Sequence, residues 1–181
     1  DVGKGATPKR EWPRHIAHEQ RGVQLVQALC KRLRVPQHHT ELALAVTGYH
    51  LLMHKLPDLK TTTVLKLLQA IDGLRNPAKL ERFILTCRAD ADGRGGAARS
   101  YPAAELLERY AAATWDLDLT DLEVSGLDGK ARGREARRRR LAALTEVQEM
   151  WRAAKSHGTQ PRSTEPEKQQ PAKDQPVEHE R

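Results

Sequence analysis

Histidines paired at helical spacing are the first residues of this sequence that could carry chemistry. His15 and His18 are three residues apart, and His50 and His54 are four residues apart. Either spacing can place two imidazoles on one helix face, where they could share a metal ion. Neither pair has the Glu of the metalloprotease motif, so the spacing alone favours ordinary paired histidines in the core or at the surface.

Carboxylates beside apolar stretches are the second group of candidates. Asp72 directly follows the apolar position Ile71. A carboxylate at the border of a core is costly unless it is paired or binds a metal, and an ion pair with Arg75 is the alternative to a metal. Asp90 and Asp92 resemble the start of a calcium loop, but the later ligands of such a loop are missing, which favours helix-end and turn chemistry.

The basic side chains are concentrated in one stretch near the end of the chain. The 181 residues include 31 Lys and Arg against 24 Asp and Glu, a net charge of +7. Residues 130–155 hold 9 basic and 3 acidic side chains, whereas residues 156–181 hold 4 and 5. Such a cluster favours a phosphate-rich partner, above all nucleic acid. A solvated helix face is the alternative explanation.

The elements that must position these side chains are all predicted to be helices. Apolar residues recur at helical spacing, and no alternating strand pattern is present. The predicted fold class is therefore all-α. The helices are expected between His15 and Leu33, from Pro36 to Leu56, after the threonines at 61–63, from Pro77 onwards, after Pro102, and roughly from Arg134 to Lys155.

The helix boundaries follow from capping residues and breakers. Asn76 is expected to cap the helix that Pro77 opens, and the threonines at 61–63 are expected to cap the preceding helix. A short linker through Gly126, Gly129 and Gly133 is expected before the last helix. Residues 92–100 are predicted to form a loop. Residues 156–181 contain no Leu, Ile or aromatic residue and are predicted to be a disordered tail.

Composition excludes one class of protein and predicts a location for the chain. No apolar run approaches the roughly 18–20 residues of a membrane span, so an integral membrane protein is excluded. Cys30 and Cys87 are isolated within apolar helical patterns, which predicts buried free thiols and a cytoplasmic location. The chain opens with Asp1 in place of Met, which predicts a fragment or a processed product.

Short motifs follow one another in a fixed order along residues 1–150. They include DVGKGATPK at 1–9, WPRHIAHE at 12–19, YHLLMH at 49–54, DGLRNP at 72–77 and GKARGREARRRRLAAL at 129–144. No single motif is specific, but in this order and spacing they resemble the HD-type region of the bacterial CCA-adding tRNA nucleotidyltransferases.

The resemblance implies an enzyme in two parts. A polymerase region would add C, C and A to tRNA 3′ ends from CTP and ATP with magnesium. An HD region would be a metal-dependent phosphohydrolase, often with nickel, acting as 2′,3′-cyclic phosphodiesterase, 2′-nucleotidase and phosphatase. The implied partners are tRNA and nucleotide 2′,3′-cyclic phosphates, and a homodimer is left open. This chain would then comprise an N-terminally truncated HD-type domain at 1–95, a basic helical region at 96–155 and the tail at 156–181.

The resemblance also assigns roles to individual residues. The implied metal ligands are Asp1, His18, His50 and Asp72, and the implied catalytic residues are Lys4, His18 and His50. Lys4 would neutralise phosphate charge. Leu51 departs from the family, because some relatives carry an acidic residue there, and this puts full phosphohydrolase competence in question. Two family histidines would precede Asp1, so this chain alone is expected to lack CCA addition and to be weak as a phosphohydrolase.

The arginines of the last helix are predicted to contact RNA. At about 100° per residue, four consecutive arginines wrap most of the way round a helix that can bury only one stripe, here Leu141, Leu144, Val147 and Trp151. Some of the arginines must then face solvent, unless the helix only caps the bundle and pairs with its acids. The predicted RNA-binding residues are Arg132, Arg134, Arg137, Arg138, Arg139 and Arg140.

Two other functions remain as alternatives. A non-catalytic helical module could bind tRNA through its basic helix. A stand-alone HD phosphohydrolase unrelated to tRNA could use the same histidines.

Overall fold

The computed structural model describes residues 2–93, 100–123 and 125–157. Within these ranges all regular structure is helical, which confirms the predicted all-α class. None of the helices in this part of the chain is long and apolar enough to span a membrane. The α-helices are α1 (Val2–Gly5), α2 (His18–Arg32), α3 (Gln37–His54), α4 (Thr61–Ala70), α5 (Pro77–Asp92), α6 (Pro102–Trp115) and α7 (Gly129–His157), with short 3-10 turns at Lys9–Glu11, Leu56–Asp58 and Thr120–Leu122.

Two predicted segments fall largely outside the described residues. Most of the loop predicted at 92–100 lies there, and so does most of the tail predicted at 156–181. Within the described part, Asp92 ends α5, and α7 continues to His157. Residues 156 and 157, which the sequence assigned to the tail, therefore belong to α7.

The cap predicted at the start of α5 is confirmed. The side chain of Asn76 accepts a hydrogen bond of 3.1 Å from the backbone N–H of Lys79, and Pro77 is the first residue of the helix. The threonine cap predicted for α4 is wrong. Lys60 occupies the N-cap position of α4 without a side-chain cap, and Thr61 is already inside the helix.

The start predicted for the last helix is also wrong, because α7 begins five residues before Arg134. The carboxylate of Asp128 accepts a hydrogen bond of 2.7 Å from the backbone N–H of Ala131 and so satisfies one donor of the first turn. Gly129 and Gly133 are exposed positions within this helix rather than linker residues. The hydrogen bond to the Asp128 side chain therefore outweighs the tendency of the two glycines to weaken a helix.

A cluster of buried apolar side chains packs the five helices from α3 through α7 together. Leu144 is fully buried and Val147 nearly so, while Leu141 and Trp151 pack against the cluster, which confirms the buried stripe predicted for α7. The side-chain amide of Gln148 donates a hydrogen bond of 2.8 Å to the carbonyl of Leu59. Residues of both predicted regions, before and after residue 95, therefore contribute side chains to the same core. The cluster contains Met53, Leu56, Val64, Leu65, Leu67, Leu68, Ile71, Leu80, Phe83, Ile84, Cys87, Ala103, Leu106, Leu107, Tyr110, Ala111, Leu144 and Val147.

The cysteines lie where the sequence predicted. Cys30 and Cys87 are both buried and neither forms a disulfide. Burial raises the pKa of the Cys87 thiol to about 12, so this side chain is a neutral, unreactive part of the core.

A close approach of two backbones holds α1 against α2. A Cβ atom on Gly3 would overlap the backbone oxygen of His18 and would lie 2.7 Å from the backbone nitrogen of Gly22. Only a residue without a side chain fits between these atoms. The absence of a side chain at Gly3 therefore allows the backbone of α1 to contact the backbone of α2 at His18.

Candidate functional site

His18, at the start of α2, and His50, in α3, line one cavity of about 320 Å³. Their ring centroids are 5.8 Å apart and the ring planes are tilted by 60°. Both residues are buried. The structure therefore brings together two of the residues that the sequence singled out, although they lie on different helices.

Backbone carbonyls fix which ring nitrogen of each histidine carries hydrogen. Nδ1 of His18 is 2.9 Å from the carbonyl oxygen of His15, and Nδ1 of His50 is 3.0 Å from that of Val46. A carbonyl oxygen can only accept, so Nδ1 donates in both rings and Nε2 of the neutral ring holds the lone pair. Metal-binding histidines are commonly oriented by such an Nδ1–H bond.

The carboxylate of Asp90, from α5, also lines this cavity. Its Oδ2 atom is 2.9 Å from Nε2 of His54, and Nδ1 of His54 is 2.9 Å from the hydroxyl of Tyr101. Sequence reasoning gave Asp90 no role in the site. A usable signal was present, since Asp90 lies three residues after Cys87 and continues the buried stripe of α5.

Asp72 lies elsewhere, in the turn between α4 and α5. Its carboxylate is 3.1 Å from Nη2 of Arg75 and 3.3 Å from Nζ of Lys79. The hydrogen bond from Lys79 holds the pKa of Asp72 below its usual value. Nζ of Lys79 also pairs with Glu41 at 3.0 Å. Asp72 borders a different cavity, of about 780 Å³. The structure thus does not bring Asp72 to the two histidines, and the alternative ion pair with Arg75 is present.

The other predicted site residues divide into two groups. Asp1 lies outside the described residues, so nothing places it. Lys4 is half-buried on α1, directly after Gly3, which lines the cavity. His15 does not share a helix face with His18, because α2 begins only at His18 and Nδ1 of His15 bonds the hydroxyl of Thr7 at 2.6 Å.

The donor set of the cavity meets part of what a metal ion requires. Imidazole nitrogen suits nickel and other late first-row metals better than magnesium, which prefers oxygen. His18 and His50 fit such an ion by ring type, tautomer and mutual distance. Within the described ranges, however, no three or more His, Cys, Asp or Glu side chains stand close enough together to hold a metal. The described residues therefore supply a pair of ligands and not a complete shell.

The predicted RNA-binding arginines differ in what they contact. The guanidinium of Arg139 bonds both carboxylate oxygens of Asp121, at 2.7 and 2.6 Å, and also reaches Glu135 at 3.1 Å. Arg138 pairs with Glu135 at 2.6 Å, and these two arginines lower the pKa of Glu135 to about 2. Among the described residues, no ion pair involves the remaining four, Arg132, Arg134, Arg137 and Arg140. Arg132, Arg134 and Arg138 are exposed.

Comparison with known proteins finds relatives that share most of this chain. The Multifunctional CCA protein of Xanthomonas campestris is 41% identical over 151 residues, which is 83% of this chain and 37% of that protein. Those of Nitrosococcus oceani and Pseudomonas syringae are 42% and 46% identical over 148 and 145 residues, or 81% and 80% of this chain. The chain is a relative of the multifunctional CCA proteins. This confirms the resemblance that the ordered motifs predicted.

The similarity is confined to one part of those proteins. The chain spans little more than a third of the length of the multifunctional CCA proteins that it matches. No protein-family model matches the chain, and no solved structure matches it.

Proposed function

We propose that this chain forms the HD-type phosphohydrolase region of a CCA-adding tRNA nucleotidyltransferase. The proposed substrates are nucleotide 2′,3′-cyclic phosphates, 2′-nucleotides and other phosphate monoesters. The observation that carries the proposal is the pair of buried histidines, His18 and His50, which share one cavity and whose Nδ1 atoms both donate to backbone carbonyls. The similarity to multifunctional CCA proteins supports it. CTP and ATP would be substrates of the remaining part of such an enzyme.

Each residue near the cavity has a proposed part in this chemistry. His18 and His50 would hold a divalent ion, nickel before magnesium, and Asp1 would be a further ligand. When bound, the metal supplies an activated water and polarises a phosphate oxygen. Asp90, whose carboxylate lines the cavity, would add negative charge beside the ion, whereas Asp72 lies elsewhere. Lys4 would offset negative charge on the phosphate.

Nickel titration of the 181-residue chain tests the site. We expect one nickel ion to bind, and we expect His18→Ala and His50→Ala each to remove most of the affinity, measured by isothermal titration calorimetry. His39→Ala is the matched control, because His39 is an exposed histidine near the start of α3. Any release of phosphate from 2′,3′-cyclic AMP by the chain should disappear with the same two substitutions. Nickel binding that survives both of them would refute the proposed site.

A second proposed function, tRNA binding, is favoured by the exposed arginines of α7. Arg132 and Arg134 are exposed and, among the described residues, form no ion pair, so their charges are available to phosphate groups. Arg139 is engaged by Asp121 and Glu135, which favours a structural part for this residue. The non-catalytic module considered above would rely on this helix alone.

The salt dependence of tRNA binding separates these roles. Changing Arg132 and Arg134 to Ala should weaken binding of tRNA to the chain, measured by fluorescence anisotropy. The slope of log affinity against log salt should flatten by about 0.7–0.9 for each phosphate group that the variant no longer neutralises. Arg88→Ala, an exposed arginine of α5, is the control and should leave the slope unchanged. Equal slopes for the variant and the control would refute phosphate contacts by Arg132 and Arg134.

A further inference from the structure

A chain of hydrogen bonds borders the cavity and joins three elements of the fold. It runs from the hydroxyl of Tyr101, just before α6, through the ring of His54 at the end of α3, to the carboxylate of Asp90 in α5. Both hydrogen bonds measure 2.9 Å. Tyr101 and His54 are 47 positions apart in the sequence, so only the tertiary fold brings them together.

The direction of each hydrogen bond follows from the chemistry of its partners. An ionised carboxylate only accepts, so Nε2–H of His54 donates to Asp90. Nδ1 of the neutral ring then holds the lone pair and accepts from the O–H of Tyr101. Every donor in this chain therefore meets an acceptor, and one tautomer of His54 satisfies both bonds.

His54 also lies beside His50, which lines the cavity. Its ring stands edge-on to the ring of His50, with 5.9 Å between centroids and 80° between planes. Little of its side chain reaches solvent, 16%, compared with 35% for Asp90. His54 is thus the more enclosed partner, and it lies between a candidate metal ligand and the cavity carboxylate.

We propose that His54, held by Tyr101, is a positioning residue for this site. It fixes the Asp90 carboxylate at the cavity that His18 and His50 line, where the negative charge strengthens cation binding. This inference rests on the proposed metal-dependent function. Groups that hydrogen-bond to the surroundings of a metal typically change its affinity by about 10–100-fold.

A purely structural part for His54 predicts a different outcome. If the hydrogen bonds only tie α3 to α5 and α6, their loss should lower stability and leave the cavity's affinity for cations unchanged in the folded protein. The nickel affinity of the folded chain, measured beside its urea stability, therefore separates the two. His54→Gln adds a second distinction, because its side-chain amide keeps an N–H donor that can reach a carboxylate.

The experiment is a nickel titration of the 181-residue chain and its variants by isothermal titration calorimetry. We expect His54→Ala and Asp90→Asn to weaken nickel binding by about 10–100-fold. We expect Tyr101→Phe, which removes one hydroxyl, to cause a smaller loss, and His54→Gln to recover much of the affinity. His39→Ala, on the same helix as His54, should bind as the unchanged chain does.

The outcomes separate the positioning part from the proposed function. Unchanged nickel affinity in His54→Ala and Tyr101→Phe, with affinity lost in His18→Ala, would overturn the positioning part and leave the proposed function standing. No nickel binding by the unchanged chain, or full binding by His18→Ala, would overturn both. If His54→Ala does not fold, Tyr101→Phe and His54→Gln provide the test. A His54→Gln variant that loses as much nickel affinity as Asp90→Asn would refute the role of the N–H donor.

Discussion

Gly3 offers a sharp test of how α1 is held against α2. In Gly3→Ala the new methyl group would overlap the backbone oxygen of His18 and lie 2.7 Å from the backbone nitrogen of Gly22. Carbon in comfortable contact needs about 3.5 Å. Relief of the overlap with the His18 oxygen therefore requires the two backbones to separate by roughly 1.5 Å or more. Because backbone atoms cannot turn aside as a side-chain end can, we expect the usual cost of overpacking, about 1–3 kcal/mol.

Gly5→Ala is the matched control, since nothing lies within 4 Å of its added Cβ and it belongs to the same helix. Both variants gain the same helix propensity, up to about 1 kcal/mol, so this gain cancels when they are compared. Urea and thermal unfolding should place Gly3→Ala about 1–3 kcal/mol below Gly5→Ala, at about 2–4 °C in Tm for each kcal/mol. Equal stability of the two variants would refute the close approach.

Three further predictions concern stability. Asn76→Ala should cost about 1 kcal/mol in urea unfolding, because the first turn of α5 loses its cap. Leu144→Ala should cost about 2–5 kcal/mol, because Leu144 is fully buried, whereas exposed Met150→Ala on the same helix should be close to neutral. The ion pairs that lower the pKa of Glu135 from 4.5 to about 2 stabilise the fold fully above about pH 4.5 and are lost as pH falls toward 2, so Glu135→Gln should flatten the pH dependence of Tm in that window.

The fold was predictable wherever local chemistry decides the structure. Asn76 followed by Pro77 is a local signal, and α5 starts there. The predicted start of α7 is wrong because Gly129 and Gly133 indicate a linker, and the prediction takes no account of Asp128. An exposed glycine costs a helix only about 1 kcal/mol, and the Asp128 cap and the packing of the same helix further on outweigh that cost.

The site was predictable only in part, because it is assembled from separate helices. The motif resemblance singled out His18 and His50, which meet in the cavity. Asp72 follows the apolar face of α4, and the resemblance also gives it the role of a metal ligand. Its backbone is left-handed, with φ of 59°, so the chain has already turned and the face of α4 does not continue through it. Asp90 continues the buried stripe of α5, but no local pattern tells which cavity that stripe faces.

The packing of α7 on the earlier helices has a consequence for synthesis on the ribosome. α7 packs on α4 and α6, and the hydrogen bond from Gln148 to Leu59 joins residues 89 positions apart. At about 5–20 residues per second, the ribosome needs roughly 4–18 s to make the chain between those two partners. During that interval Val64, Leu67 and Leu68 have emerged or are emerging without the helix that completes their core. An apolar surface of the nascent chain is therefore exposed to aggregation until α7, its most basic helix, has left the ribosome.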